Sequence, residues 1–170
     1  GEMSKNIWVN EEQLTAIVKE NGFLKDVIDY QDNGVVKIIE QPTINSRGDR
    51  PDFIVLYRHQ NGTMAVYIVE LKITATLKSL AQTKKYKTTI FDYIASNHSM
   101  NRVYVHEVII ARYFDADITP YFEGCHNEIS FYRIEQNTNG DWFIDLMDYE
   151  TPEVSLEFIN KMDFFGGEDG

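Results

Sequence analysis

Cysteine is almost absent from this chain: Cys125 is the only one in 170 residues, which excludes an intrachain disulfide framework. The four histidines are scattered, without the spacing a zinc site needs. Four prolines and ten glycines, with no biased tract, exclude collagen-like and low-complexity architectures. Apolar stretches break off after a few residues, far short of the roughly 20 that cross a bilayer, so no membrane partner is expected. No basic-then-apolar leader opens the chain, and Gly1-Glu2 ahead of Met3 reads as an expression scar. The expectation is a soluble, intracellular and specifically cytoplasmic domain. What the chain does have is apolar mass. Hydrophobic residues make up 43% and aromatic ones 13%, enough for one packed core and too many for a disordered protein.

Positive charge is also scarce, with 16 Lys and Arg against 27 Asp and Glu and a net charge of −11. Such a balance argues at first against a nucleic-acid partner. Its distribution points the other way. Residues 1–140 hold 15 basic and 18 acidic residues, whereas residues 141–170 hold Lys161 against nine acids. Most of the acidity is therefore C-terminal. Between Leu71 and Phe91 the chain carries Lys72, Lys78, Lys84, Lys85 and Lys87 and no acid at all. That segment is suited to an anionic partner, the bland alternative being a solvated helix face.

Asn10-Glu11-Glu12-Gln13 reads as a helix N-cap with a capping-box glutamine, and Asn21-Gly22 as that helix's end. Val35–Glu40 predicts a strand, stopped by Pro42. Phe53–Tyr57 and Met64–Leu71 predict two more around the turn Gln60-Asn61-Gly62. Ala75–Ser96 predicts a long helix, Tyr104–Ala111 a strand and Ile118–Glu123 a short helix. Ile129–Ile134 and Trp142–Met147 are expected to be strands joined through Asn139-Gly140, and Pro152–Lys161 a closing helix. This order predicts an α/β sandwich with a mixed central sheet flanked by helices. The domain organisation follows: a lead over residues 1–9, a core over 10–135, and an added strand, helix and acidic tail over 136–170.

Chemistry concentrates at Arg50-Pro51-Asp52, Glu70-Leu71-Lys72, Gln82 and Tyr86. If the turn is a three-residue loop with Gly62 at a left-handed bulge position, His59 pairs with Thr63 and Asp52 falls opposite Glu70. A two-residue Asn61-Gly62 turn would instead put Asp52 on the other face. In the first register two carboxylates face each other, with Lys72 two residues on and on the same side. Opposed like charges are destabilising unless neutralised, and hard oxygen ligands of this kind suit Mg²⁺ or Mn²⁺. Lys72 beside such an ion could act on an attacking water or stabilise charge developing at phosphorus. The ordinary alternative is a Glu-x-Lys at an exposed strand end beside an unrelated Asp.

Pro51-Asp52 … Glu70-Leu71-Lys72 resembles the PD-(D/E)XK nuclease signature, and the element order resembles the α-β-β-β-α-β core of that restriction-endonuclease-like superfamily. Arg50-Pro51-Asp52, Val69-Glu70-Leu71-Lys72 and Gln82-x-x-x-Tyr86 look like the nuclease domain of the archaeal-type mismatch endonucleases (NucS-like). Glu11-x-x-Leu14 … Glu20-Asn21-Gly22-Phe23-Leu24 looks like that domain's opening helix. The likeness covers roughly residues 10–135. It implies that Asp52, Glu70 and the Leu71 carbonyl bind the metal, that Lys72 acts on the water, and that Gln82 and Tyr86 flank the site. Glu11 is the candidate approach from the first helix, although Glu12 is equally available. The Asp-to-Glu spacing is longer than in typical members, which implies a longer hairpin.

Around those residues Arg47, Arg50, Lys78, Lys84, Lys85, Tyr86 and Lys87 are the candidate nucleic-acid contacts. Screening confines charge effects to about 8 Å at physiological salt, so a basic groove can act within an acidic protein. Tyr57, Tyr67, Phe91, Tyr93, Tyr104, Tyr113, Phe131 and Tyr132 are expected in the core. The adjoining Cys125-His126 pair has no partner pattern. A metal-dependent DNA endonuclease, with structure-selective cleavage, is the leading expectation. Specificity would come from DNA shape, a homodimer or a protein partner. The alternative is a catalytically silent nuclease-fold module that binds another protein or mimics nucleic acid. The intact Asp52, Glu70 and Lys72 weigh against that alternative.

Overall fold

A computed structural model describes residues 8–97, 102–122 and 129–147. The first helix, α1 (Glu11–Glu20), opens as its residues predict. The Asn10 side chain accepts the Gln13 amide at 2.7 Å, and the Gln13 side chain accepts the Asn10 amide at 2.9 Å. Its apolar stripe, Leu14 and Val18, is buried. Gly22, left-handed at φ 70°, turns the chain into a single helical turn, α2 (Phe23–Asp26), which the sequence pattern alone does not reveal.

Six strands follow: β1 (Val35–Glu40), β2 (Phe53–Arg58), β3 (Met64–Ala75), β4 (Val103–Phe114), β5 (Ile129–Gln136) and β6 (Trp142–Leu146). They form one mixed sheet in sequence order. β1–β2–β3 is an antiparallel meander, β3–β4–β5 is parallel, and β6 returns antiparallel to β5. A parallel neighbour cannot be reached by a tight turn. α3 (Leu77–Asn97) supplies the crossover from β3 to β4, and a single turn of 3₁₀ helix (Thr119–Phe122) lies between β4 and β5.

Alternation along the strands divides the core into two faces. Phe53, Val55, Tyr57, Ala65, Tyr67, Val69 and Leu71 pack with α1 and α2. Ile54, Val66 and Ile68 pack with Tyr86 and Ile90 of α3, beside a second cluster containing Leu80, Ile109 and Phe131. By the same alternation Glu70 and Lys72 face α3. The long strands β3 and β4 overrun the expected ends at Leu71 and Ala111 because their paired register continues to Ala75 and Phe114. The expected closing helix over residues 152–161, the acidic tail and Cys125-His126 lie outside the described residues.

Four of the eight aromatics expected in the core are not there. Tyr57, Tyr67, Phe131 and Tyr132 are buried, but Phe91, Tyr93, Tyr104 and Tyr113 are exposed. Phe91 and Tyr93 lie on α3 away from its buried side chains. Tyr104 precedes the part of β4 that β5 covers, since that pairing starts at Glu107.

Gly34 joins the segment before β1 to the first hairpin. Its amide donates to the Tyr57 hydroxyl at 3.1 Å, which in turn donates to Asp32 Oδ1 at 2.9 Å. A Cβ on Gly34 would collide with the Arg58 carbonyl and lie 2.7 Å from the Tyr57 ring. Neither a strand carbonyl nor a fully buried ring can yield cheaply. Gly34→Ala is expected to destabilise the fold by about 1–3 kcal/mol, read as a lower urea midpoint at unchanged slope. An unchanged midpoint would show that this junction relaxes freely.

Candidate active site

The β2–β3 turn decides whether the two signature acids meet. His59 donates its amide to the Thr63 carbonyl at 2.8 Å, and Gly62 donates to the His59 carbonyl at 3.0 Å. Gly62 adopts φ 89°, a conformation that side-chain-bearing residues disfavour. This is a three-residue bulged loop, stabilised by Asn61 Oδ1 accepting the Thr63 amide at 2.8 Å. Register follows from Arg58↔Met64 down to Phe53↔Val69, and one further step opposes Asp52 to Glu70.

Each acid is tied to the other's strand. The Asp52 amide donates to Glu70 Oε1 at 2.8 Å, and the Leu71 amide donates to Asp52 Oδ2 at 2.7 Å. Among the described residues, no protein hydrogen bond engages Asp52 Oδ1 or Glu70 Oε2. Glu70 is buried, and burial together with the Asp52 charge pushes its carboxyl up to about 7. Burial raises Asp52 as well, against the opposing pull of the Leu71 amide and Lys72. Lys72 favours the ionised form of both acids, and Glu11 disfavours it. Of the two acids that open α1, Glu11 is the one whose charge reaches the pair.

The oxygen donors that this pair could offer a cation are the unengaged carboxylate oxygens of Asp52 and Glu70. Among the described residues no group of three or more His, Cys, Asp or Glu side chains converges on one point. Glu11 thus comes within electrostatic range but does not complete a three-carboxylate cluster.

Helix geometry sorts the flanking candidates. With Ser79, Thr83, Tyr86 and Ile90 turned inward, a 100° step per residue puts Lys78, Gln82 and Lys85 on one flank of α3. Lys84 and Lys87 fall on the other. Gln82 Nε2 donates to the Tyr86 hydroxyl at 2.9 Å. Tyr86 is 5% exposed, packed with Ile54 and Ile68, and its hydroxyl is raised by burial and then by the Glu70 charge. It is not a surface contact for nucleic acid, as the sequence suggested, because its ring belongs to the core between sheet and helix. Lys87 lines a different concavity of about 430 Å³, with His59, Tyr67, Tyr104 and His106. Lys84 and Arg50 are exposed.

The loop before Asp52 holds a residue that no sequence motif singles out. Asp49 Oδ2 accepts from Asn45 Nδ2 at 2.7 Å and Arg47 Nη2 at 3.3 Å, and lies 3.6 Å from Lys85 Nζ. Asn45-Ser46-Arg47-Gly48-Asp49 reads locally as a turn; only the tertiary approach of α3 reveals the ion pair.

No described helix is long and apolar enough to cross a membrane. No family model matches the chain, and no curated protein matches it. Among solved structures the chain is similar to a repair endonuclease from Pyrococcus abyssi, at 18% identity over 78% of this chain and 50% of that one, with a TM-score of 0.47. It is similar also to an EndoMS–dsDNA complex, at 16% identity over 81% of this chain and 51% of that one, with a TM-score of 0.44. EndoMS in apo form matches at 18% identity, covering 79% of this chain and 50% of that one, with a TM-score of 0.41. The chain thus spans about half the length of the solved structures to which it is similar.

Proposed function

We propose that this domain is a divalent-metal-dependent DNA endonuclease. The observation that carries the reading is the opposed pair Asp52 and Glu70, joined by reciprocal backbone bonds with Lys72 on the same face. A buried Glu70, raised by burial and then by the charge of the half-buried Asp52 opposite it, is an unfavourable arrangement for folding alone. It becomes favourable when a cation shares the charge. Hard oxygens suit Mg²⁺ or Mn²⁺, which keep several waters and engage phosphate oxygens. The free oxygens of Asp52 and Glu70, with the Leu71 carbonyl, would hold the ion. When bound, such an ion supplies a more acidic water and charge neutralisation at phosphorus.

The chain's own residues do the remaining work. Lys72 orients the attacking water and offsets negative charge as the phosphate becomes pentacoordinate. Gln82 and Tyr86 hold the roof of the site by their mutual hydrogen bond. Lys78 and Lys85 lie on the flank of α3 that faces the carboxylates, which suits a phosphate backbone passing over them. The described residues form one sheet with its covering helices and hold no separate sequence-reading module. Selection of substrate by DNA shape, as at branches or mismatches, fits that architecture best.

Incubating linear and branched DNA with the full chain and Mg²⁺ or Mn²⁺ tests the reading. Cleavage that chelator abolishes is the expected result. Absence of cleavage with either ion on every substrate would overturn it.

A further inference from the structure

Asp49 is set apart from the other acids by its surroundings: one oxygen gathers an amide, a guanidinium and an ammonium. We propose that Asn45, Arg47 and Lys85 form a phosphate subsite that the Asp49 carboxylate fills in the free protein, and that a backbone phosphate of the bound strand displaces it. This rests on the reading of the domain as a DNA enzyme and adds to it a second phosphate position and an internal competitor.

The donors are not assembled by the carboxylate alone. Asn45 Oδ1 accepts the amides of Arg47 at 3.0 Å and Asp49 at 3.1 Å, and the Ile44 amide donates to the Asp49 carbonyl at 3.0 Å. These bonds shape the loop through backbone atoms and persist if the Asp49 side chain swings away. Lys85 is held independently by α3.

The chemistry also matches. A carboxylate and a phosphodiester each present one negative charge over two oxygens, and donors arranged for one accept the other. Exposure shows which groups an incoming phosphate can reach. The Arg47 and Lys85 side chains are 65% and 57% exposed, while that of Asp49 is 19% exposed. The cations are open to solvent, with the carboxylate lying beneath them. Ion pairs with such exposed partners are weak, so a polyanion can replace the internal one.

Position connects the subsite to the acids. Asp49 precedes Asp52 by three residues, and Lys85 adjoins Tyr86, whose hydroxyl is raised by burial first and then by Glu70, with smaller contributions from Asp49 and Asp52. A phosphate here would neighbour the one presented to Glu70 and Lys72.

Asp49→Asn tests this, because asparagine keeps an oxygen acceptor for the loop and removes only the charge. Binding of the full chain to a labelled DNA duplex is measured in chelator across a salt series. The variant is expected to bind about 5–10-fold tighter at low salt, with the slope of log affinity against log salt steeper by up to about 0.9, because the phosphate no longer displaces a carboxylate that takes up a counterion of its own. Lys85→Gln, which spares the loop, should move both readouts the opposite way. In a background lacking both Arg47 and Lys85 the Asp49→Asn gain should vanish. Wild-type binding with an inert Asp49→Asn, or an equal gain in the doubly substituted background, overturns the subsite and leaves the nuclease reading standing. No binding by the wild type or any variant sinks both.

Discussion

Lys72→Ala is expected to lower the rate of metal-dependent DNA cleavage by at least about 10²–10³-fold while leaving duplex affinity nearly unchanged. The ammonium lies on the same face as Glu70, two residues along β3, and its field reaches both acids. It can therefore act where charge develops at phosphorus, while Lys78, Lys85 and Arg47 meet the rest of the strand. Removing it abolishes transition-state stabilisation without removing a groove contact, so turnover should fall and binding should not. Glu70→Gln should cause a comparable loss for a different reason, since an amide cannot share a cation with Asp52. Initial rates on one duplex, with affinity measured in parallel, separate the two effects. A Lys72→Ala enzyme that retains more than half of its rate would remove Lys72 from the chemistry.

The second large effect is on folding. Burial and the neighbouring charge raise Glu70 from an ordinary 4.5 to about 7, so the folded protein holds a proton there that the unfolded chain releases at lower pH. Protonated Glu70 thus contributes stability that is fully present below about pH 4.5 and is lost as pH rises through about 7. Asp52 is shifted the same way and adds to the trend. In chelator, Glu70→Gln should remove most of this dependence. Near pH ~8 it should be more stable than the wild type by up to about 3 kcal/mol, an advantage that disappears toward acid. Urea denaturation at several pH values measures it. Mg²⁺ should restore stability to the wild type at alkaline pH and do little for the variant. A wild type whose chelated stability rises between neutrality and about pH 8 would contradict the charge assignment.

Both effects depend on a strand register that is legible in the residues of one hairpin. Gln60-Asn61-Gly62 has the chemistry of a bulged three-residue loop, and counting outward from it puts Asp52 against Glu70. The Asn10-Gln13 cap and the strand starts are legible for the same reason: each is written in residues a few positions apart. The features that the sequence conceals share a different cause. Lys84 and Lys87 look like part of one basic face until helix phase turns them away from Lys85. Tyr93 looks like core until its phase on α3 is known, and Tyr104 until the reach of β5 along β4 is. Asp49 looks like turn chemistry until α3 brings Lys85 to it. Each depends on which element arrives from a distance, and no local pattern carries that information.

The opposed hairpin also sets a rule for insertions and deletions. Lengthening β2 and β3 by one residue each, on either side of the loop, keeps Asp52 and Glu70 face to face and changes their separation along the chain by two. Inserting a single residue into one strand would slide Pro51 or Phe53 opposite Glu70 and carry the acid to the α1 side of the sheet. Between domains of this architecture, the count of residues between the two acids is therefore free to drift in even steps and blocked in odd ones unless a bulge absorbs the difference. A search motif with one fixed gap would miss chains whose site has the same geometry, whereas one that fixes parity and the glycine of the loop would find them.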